Sequence, residues 1–139
     1  MNKDYIEKLL KTLNIMKDEY YIVGSSAMVI RGIRDIAGDL DLCMTEKAFE
    51  ELKTRYNIEK TNKGYDNLYK LNDEIEFFVD PKEKFKMEYA HGWPLEDIHV
   101  LLDFKLKRND EKDQKDIIRI KKYLENHDKD PLTVVVNLK

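Results

Sequence analysis

The pattern of apolar and polar positions is clearest between residues 20 and 44. The run Tyr20–Val23 consists of residues that suit a buried strand, and it ends at a Gly-Ser-Ser turn that leads into a helix-compatible segment over 27–33. Residues 38–42 then alternate polar and apolar side chains, as a half-buried strand does. The stretch therefore predicts a strand, a tight turn, a helix and a second strand.

Four further segments have apolar residues at intervals of three and four positions, which predicts helices. These helices are expected over 3–17, from 46 to about 56, from about 95 to 106, and over 110–127. Thr45 is expected to cap the second of them, with Phe49 and Leu52 facing inward. The inward-facing positions of the first and last are Ile6, Leu9, Leu10 and Leu13, and Asp113, Ile117, Ile120 and Leu124.

Further strands are expected in the second half of the chain. Segments 68–71 and 75–80 flank a short polar connection and predict a hairpin, and a short strand is expected around Ile58. Residues 133–136 suit an edge strand or a contact with another copy. Residues 81–89 predict a loop or short helix, and 91–94 should break any regular element. The predicted fold class is α+β, a small mixed sheet with helices packed on its apolar face and the acids on its open face.

Composition adds limits to this picture. The chain has 139 residues, 42% hydrophobic and 38% charged, which is typical of one folded domain spanning 1–139. Its net charge of −3 argues against a nonspecific nucleic-acid coat, although a local basic groove could still bind RNA. The single cysteine, Cys43, allows no internal disulfide. There is no apolar run of membrane-spanning length and no secretory-leader pattern, so a cytoplasmic location without membrane contact is expected.

Two carboxylates are expected on one face of the second strand. Asp39 and Asp41 would repel each other there, and a hard cation such as magnesium accepts both as oxygen ligands. Gly24 lets a ligand approach the backbone, and Ser25 or Ser26 can cap a helix whose free N–H groups face an anion. Magnesium bridging to phosphates on this turn would hold a nucleoside triphosphate.

Two later segments supply further candidates. Strand alternation places Glu76 and Asp80 on the same face, so a third acid is available, although Asp80 precedes Pro81, where carboxylates commonly end a strand. Lys105 lies on the apolar face of its predicted helix. It could contact an anion, or its ammonium could snorkel to water at the helix end.

These residues resemble a known family. Gly24-Ser25 and Asp39-Leu40-Asp41, separated by thirteen residues (26–38), resemble the Gly-Gly/Ser and Asp-x-Asp signature of the DNA polymerase beta-like nucleotidyltransferase superfamily. The strand Ile-Glu-Phe-Phe at 75–78 looks like the neighbouring strand that carries that family's third carboxylate, usually Asp, with Glu76 in its place. The segment LLDFKLKRNDEKDQKDI, 101–117, is similar to the one that follows the third acid in abortive-infection-type members.

The resemblance implies a minimal nucleotidyltransferase that moves a nucleoside monophosphate from an NTP to a hydroxyl of RNA, a protein or a small molecule, in a toxin–antitoxin or phage-defence setting. Asp39, Asp41 and Glu76 would bind Mg²⁺, or Mn²⁺ in its place. Glu76 would also take the proton of the acceptor hydroxyl. Lys105 would contact the triphosphate, with Lys112 as a weaker candidate.

Other polar residues have structural alternatives. Arg31 and Arg34 could reach phosphates, but solvated surface arginines are at least as common, and only Arg34 is kept as a candidate. Cys43 shares the facing of the acids but has no evident base, which favours a packed thiol. The three histidines stand too far apart in sequence for a local zinc motif.

Two other functions remain open. Glu in the third position shifts the carboxylate by a methylene, which is compatible with a degenerate nucleotide-binding or antitoxin-like partner of the same fold. The open face could also be a protein interface, which predicts no magnesium-dependent response to nucleotides. A monomer or weak homodimer is expected in every case.

Overall fold

The computed structural model describes residues 1–127, except the side chain of His127, and the backbone of residues 134–137. Over these residues the chain forms five α-helices, eight strands and a 3₁₀ turn, Lys82–Lys84. The helices are α1 (Lys3–Leu13), α2 (Gly24–Ile30), α3 (Glu46–Lys53), α4 (Ile98–Arg108) and α5 (Glu111–His127). The strands are β1 (Tyr20–Val23), β2 (Leu40–Met44), β3 (Glu59–Lys60), β4 (Leu68–Lys70), β5 (Ile75–Val79), β6 (Lys86–Ala90), β7 (Trp93–Glu96) and β8 (Val134–Asn137).

The strands form one mixed sheet in the order β3-β4-β5-β2-β1-β7-β6-β8. At its centre β1 pairs antiparallel with β2, and β2 pairs parallel with β5. In this register Val23 lies opposite Asp41, and Asp41 lies opposite Glu76. The end of β1, the start of β2 and the start of β5 are therefore adjacent.

The main hydrophobic core lies between one face of the sheet and the first three helices. Ile22, Leu42 and Phe77 point into it from the central strands, and all three are fully buried. Burial of side chains of this size contributes roughly 1.5–3 kcal/mol each. This packing confirms the α+β class that the periodicity predicts.

The last two helices pack in a second, smaller cluster. Ile98 and Leu101 of α4 and Ile120 of α5 are buried against Met28 of α2. This packing fixes the position of α4 relative to α2. Other residues of α4 can therefore face the sheet surface that the main core leaves uncovered.

Local signals account for the predicted helix starts better than for the ends. Thr45 accepts a hydrogen bond from the Ala48 backbone N–H at 3.2 Å, which confirms it as the cap of α3. α1 stops at Leu13 instead of continuing to residue 17, because Asn14 adopts a left-handed conformation with φ 52°.

The prediction for residues 81–97 is wrong in part. Residues 86–90 and 93–96 form the antiparallel hairpin β6–β7, and His91 and Gly92 make its two-residue turn with φ of 56° and 84°. β7 also pairs parallel with β1, so Leu95 belongs to the sheet and not to α4. Pro94 and the charged residues before β6 hide the alternation, because proline is rare within a strand that pairs on both sides.

The remaining strands follow the pattern predicted from sequence. β4 and β5 form the expected hairpin, and β3 is the short strand next to Ile58. β8 pairs antiparallel with β6, so 134–136 form the predicted edge strand, while Thr133 lies outside the described residues. None of the helices that the structure describes is long and apolar enough to cross a membrane.

Candidate active site

An open cavity of about 540 Å³ lies on the sheet face opposite the main core. It is bounded by the central strands, by the loop before β4, and by α4 and the first turn of α5. Its lining residues are Tyr21, Val23, Gly24, Ser25, Asp41, Cys43, Tyr65, Leu68, Glu76, Phe78, Asp80, Glu96, Leu101, Phe104, Lys105, Arg108 and Lys112. A cavity of this size can hold a ligand as large as a nucleotide.

The turn after β1 borders the acidic strand. Gly24 has φ 63°, a conformation that residues with a side chain rarely adopt. A Cβ added there would lie 3.8 Å from Asp41 Oδ2, which is an ordinary contact. The backbone angle, more than crowding, therefore explains glycine at this position.

The two serines of the turn have different surroundings. The Ser26 hydroxyl is fully buried, donates to the Val23 carbonyl at 3.0 Å and accepts from the Asp41 backbone N–H at 3.2 Å. Ser26 thus joins the turn to β2 and is not among the residues that line the cavity. Ser25 lines the cavity and accepts a hydrogen bond from Arg34 Nη1 at 3.0 Å.

The expected serine cap is also absent. α2 begins at Gly24, and its capping residue is Val23, whose side chain makes no capping hydrogen bond. Instead the Gly24 backbone N–H donates to Glu96 Oε1 at 3.1 Å. Burial raises the pKa of Glu96, and the Gly24 N–H opposes that shift. A carboxylate of the chain itself holds the group that we expected to face a phosphate.

Three carboxylates lie in the region where β1, β2 and β5 adjoin, and their charges interact. Asp41 is half-buried on β2 next to Glu76 on β5, and exposed Asp39 precedes β2. Burial, and then the charges of Asp39 and Glu76, raise the pKa of Asp41 to about 6. The acids therefore repel each other. Because β2 begins at Leu40, strand alternation accounts for the direction of Asp41 but not for that of Asp39.

Lys63 supplies a positive charge to this acidic group. Its Nζ lies 2.6 Å from Glu76 Oε1, and this hydrogen bond raises the pKa of Lys63. In the part of the chain that the structure describes, no three Asp, Glu, His or Cys side chains converge closely enough to bind a metal ion as they stand. The donors still suit magnesium in kind, because they are carboxylates whose repulsion a divalent cation would relieve.

The alternative third acid, Asp80, also lines the cavity but has other partners. Asn67 Nδ2 donates to Asp80 Oδ1 at 3.0 Å, and the Cys43 thiol donates to Asp80 Oδ2 at 3.6 Å. Glu76, not Asp80, contributes to the pKa shift of Asp41. Burial raises the pKa of Cys43 to about 12, so its thiol stays protonated and is a poor nucleophile.

Lys105 is buried, which contradicts snorkelling. Only 4% of the residue is exposed, and its Nζ lies 3.0 Å from Asp116 Oδ2 and 3.6 Å from Asp113 Oδ1. The predicted anionic partner is present, but it is supplied by α5. Lys105 nevertheless lines the cavity.

Two buried acids of α5, Asp113 and Asp116, each bind several cations. We call these two residues the aspartate pair. Asp113 accepts hydrogen bonds from Arg108 Nε at 2.8 Å and from Nη2 at 2.6 Å. Asp116 contacts Arg34 at 3.4 Å and Arg119 at 2.9 Å. Through these contacts, two buried acids hold cations on the cavity wall and on the outer side of α5.

Arg31 and Arg34 are less exposed than surface arginines would be. Arg31 is buried, forms an ion pair with Glu88 and donates to the Glu96 carbonyl at 3.0 Å, so its interpretation as a solvated residue is wrong. Arg34 is half-buried between Ser25 and Asp116. Lys112 is exposed at the cavity edge.

Sequence reasoning missed several residues that line the cavity or contact its acids. Lys63 and Tyr65 lie in the loop before β4, where no periodic pattern predicts which way a side chain points. Glu96 lies on β7, a strand that the sequence pattern does not predict. Arg108 could have been found, because it follows Lys105 by three positions on one helix face. In comparisons with known proteins, no protein-family model, no curated protein and no solved structure matches this chain.

Proposed function

We propose that this protein is a metal-dependent nucleotidyltransferase that moves a nucleoside monophosphate from an NTP to a hydroxyl acceptor. One observation carries the proposal. The registers of β1, β2 and β5 bring the Gly24 turn, Asp41 and Glu76 together in a cavity whose other wall carries Lys105, Arg108 and Lys112. Acids facing cations across a nucleotide-sized space suit a magnesium–triphosphate complex.

In this proposal Asp39 and Asp41 hold Mg²⁺, which Mn²⁺ can replace, and Glu76 completes the donor set. The bound metal would neutralise charge on the phosphates and on the leaving pyrophosphate. Glu76 separates from Lys63 and accepts the proton of the acceptor hydroxyl. Lys105, Arg108 and Lys112 orient the triphosphate on the opposite wall.

The contacts at the turn limit where phosphates can bind. Glu96 occupies the Gly24 N–H, so this N–H serves a phosphate only after Glu96 moves. The Ser25 hydroxyl, with Arg34 bonded to it, and exposed Lys112 are the groups best placed to receive phosphate oxygens without that change.

The test is incubation with each labelled NTP, magnesium and cell extract, followed by identification of the labelled fraction. Wild type is expected to label one acceptor class, and Asp41→Asn is expected to abolish labelling. Asp41→Asn should keep the fold, because it removes a charge from a group of repelling acids. Wild-type labelling by this variant would disprove the assignment.

A second function has specific support. Lys63 forms an ion pair with Glu76, and Glu96 accepts a hydrogen bond from the Gly24 N–H. These contacts occupy groups that catalysis would use, as expected of a nucleotide-binding or antitoxin-like protein that does not catalyse transfer. Such a protein would show a magnesium-dependent thermal shift with NTP but would label no acceptor. A cytoplasmic location, and a toxin–antitoxin or phage-defence setting, remain part of either proposal.

A further inference from the structure

A second open groove leads away from the cavity. It has a volume of about 550 Å³ and shares Ser25 and Lys112 with the cavity, so the two spaces adjoin. Its other lining residues are Arg34, Glu111, Lys115, Asp116 and Arg119. We call this space the basic groove.

Three cations that line the basic groove lie on one face of α5, and Lys122 continues their row one turn beyond the groove. Lys112, Lys115, Arg119 and Lys122 succeed one another at intervals of three, four and three residues, which aligns them on a helix. All four are exposed, and at 1.5 Å per residue the row is about 15 Å long. This row contrasts with the net charge of −3 of the whole chain.

The groove remains positive when its acids are included. Asp116 is buried and contacts Lys105, Arg34 and Arg119, so it is neutralised by cations of the chain. Exposed Glu111 is the other acid that lines the groove among the described residues. Arg34, Lys112, Lys115 and Arg119 therefore outnumber the two carboxylates.

Aromatic side chains lie at the cavity end of this path. Tyr65 is 52% exposed and Phe104 is 48% exposed, and both line the cavity. The Arg108 guanidinium lies 4.9 Å from the centre of the Phe104 ring, while Tyr65 packs edge-on against Phe78. Exposed rings beside a basic groove are typical of proteins that stack unpaired bases.

We propose that the basic groove binds the backbone of a single-stranded nucleic acid, whose terminal hydroxyl enters the cavity as the acceptor. The inference rests on the proposed function and names its acceptor. A row of about 15 Å spans a few phosphates of an extended strand, whereas a duplex would leave no unpaired base for Tyr65 or Phe104. In the transfer, the terminal oxygen bonds to the α-phosphorus, the α–β P–O bond breaks, Glu76 takes the proton and pyrophosphate leaves.

The test measures binding separately from catalysis. Fluorescently labelled single-stranded RNA and DNA of about 12 nucleotides are titrated with the full-length protein in EDTA without NTP, between about 50 and 200 mM salt. The double variant Lys115→Gln/Lys122→Gln is compared with Lys8→Gln/Lys11→Gln, which removes two exposed lysines from α1. The two double variants change the net charge equally.

The groove variant is expected to lower the salt slope of binding by about 1.4, and to weaken affinity about 25-fold at 0.1 M salt, because each phosphate contact contributes about 0.7 to the slope for single strands. The α1 variant is expected to bind as wild type does. Comparison of the affinities for RNA and for DNA shows which sugar the groove prefers. The proposal would be overturned if both double variants lost the same affinity, or if a duplex bound as tightly as the single strand. It would also be overturned if polyglutamate displaced the labelled strand as well as an unlabelled oligonucleotide does.

Failure of this inference is distinguishable from failure of the proposed function. If label transfers from NTP to a protein while no oligonucleotide binds, the nucleic-acid groove is wrong and the nucleotidyltransferase stands. If the oligonucleotide binds with the expected variant effects but neither it nor any fraction of the extract receives label, the groove stands and the transferase is wrong.

Discussion

At the scale of single residues, the acids of the cavity differ mainly in what already contacts them. Glu76 lies beside Asp41 and is held by one exposed lysine, whereas Asp80 is tied to Asn67 and Cys43. Glu76 can therefore exchange its partner at small cost. Asp80 would have to give up contacts within the sheet.

This contrast predicts different effects of removing each charge. Glu76→Gln is expected to lower nucleotidyl transfer by about 10² to 10⁴, the usual range for loss of general-base catalysis, and to weaken nucleotide binding less. Asp80→Asn should have a mild effect. Steady-state kinetics on both variants provides the measurement, and the reverse order would move the third-acid role to Asp80.

Lys63 is expected to compete with the metal for Glu76. Because exposed ion pairs are worth about 0.2–1 kcal/mol, Lys63→Met should tighten binding of Mg²⁺ or Mn²⁺ by up to about fivefold. Calorimetric titration of the nucleotide-free protein measures this directly. Lys60→Met, another exposed lysine nearby on β3, serves as the control. Weaker metal binding by Lys63→Met would mean that the lysine supports the site.

At the scale of elements, α4 and α5 are joined by buried ion pairs, and Lys105 is central to them. The resemblance implies that Lys105 contacts the triphosphate, so Lys105→Met should weaken nucleotide binding. Since Lys105 contacts both members of the aspartate pair, we now expect it to destabilise the fold by roughly 1–3 kcal/mol as well.

Urea unfolding of Lys105→Met measures this cost. The matched control is Lys107→Met, which changes an exposed lysine on the same helix and should alter stability little. Wild-type stability of Lys105→Met would show that Arg34, Arg108 and Arg119 satisfy the two aspartates without it.

The aspartate pair also predicts acid sensitivity. Hydrogen bonds from Arg108 hold the pKa of Asp113 well below its ordinary value of 3.8, with the Asp110 backbone N–H and the charge of Lys105 assisting. The unfolded chain therefore binds the proton more readily. The stabilisation by Asp113 is present above about pH 4 and is lost as pH falls further.

The free energy of unfolding, measured between pH 6 and pH 2, should show this loss. In Asp113→Asn the deficit relative to wild type is expected to shrink as pH falls below 4. Asp103→Asn, an exposed acid on α4, should show no such convergence. A deficit for Asp113→Asn that stays constant with pH would contradict the assigned role.

At the scale of the whole molecule, the candidate site lies on the central strands of the sheet. The outermost strands that the structure describes are β3 and β8. β8 covers the edge of β6, and β6 holds β7 next to β1. The strand that borders the Gly24 turn, β1, therefore depends indirectly on β8.

Removal of residues 134–139 is expected to lower the melting temperature and to cause concentration-dependent self-association, because the β6 edge loses its partner. Removal of 138–139 alone, which leaves β8 intact, is the control. Calorimetry and light scattering provide the two measurements. A monomer with unchanged melting temperature would show that β8 adds nothing to the fold.

The sequence by itself determined the features that depend on neighbouring residues. Alternation predicted that Asp41 and Glu76 would point to the open face, helical spacing predicted Lys105 on a buried face, and Thr45 was identified as a cap. These signals are local, because a strand repeats every two residues and a helix about every 3.6.

Only the tertiary structure decided which partner each of these side chains has. Lys63 reaches Glu76 across 13 positions, and Glu96 reaches Gly24 across 72. The partners of Lys105 come from the next helix. Periodicity tells which way a side chain faces, but the strand order and the loop paths decide what lies opposite it, and those follow from packing of the whole chain.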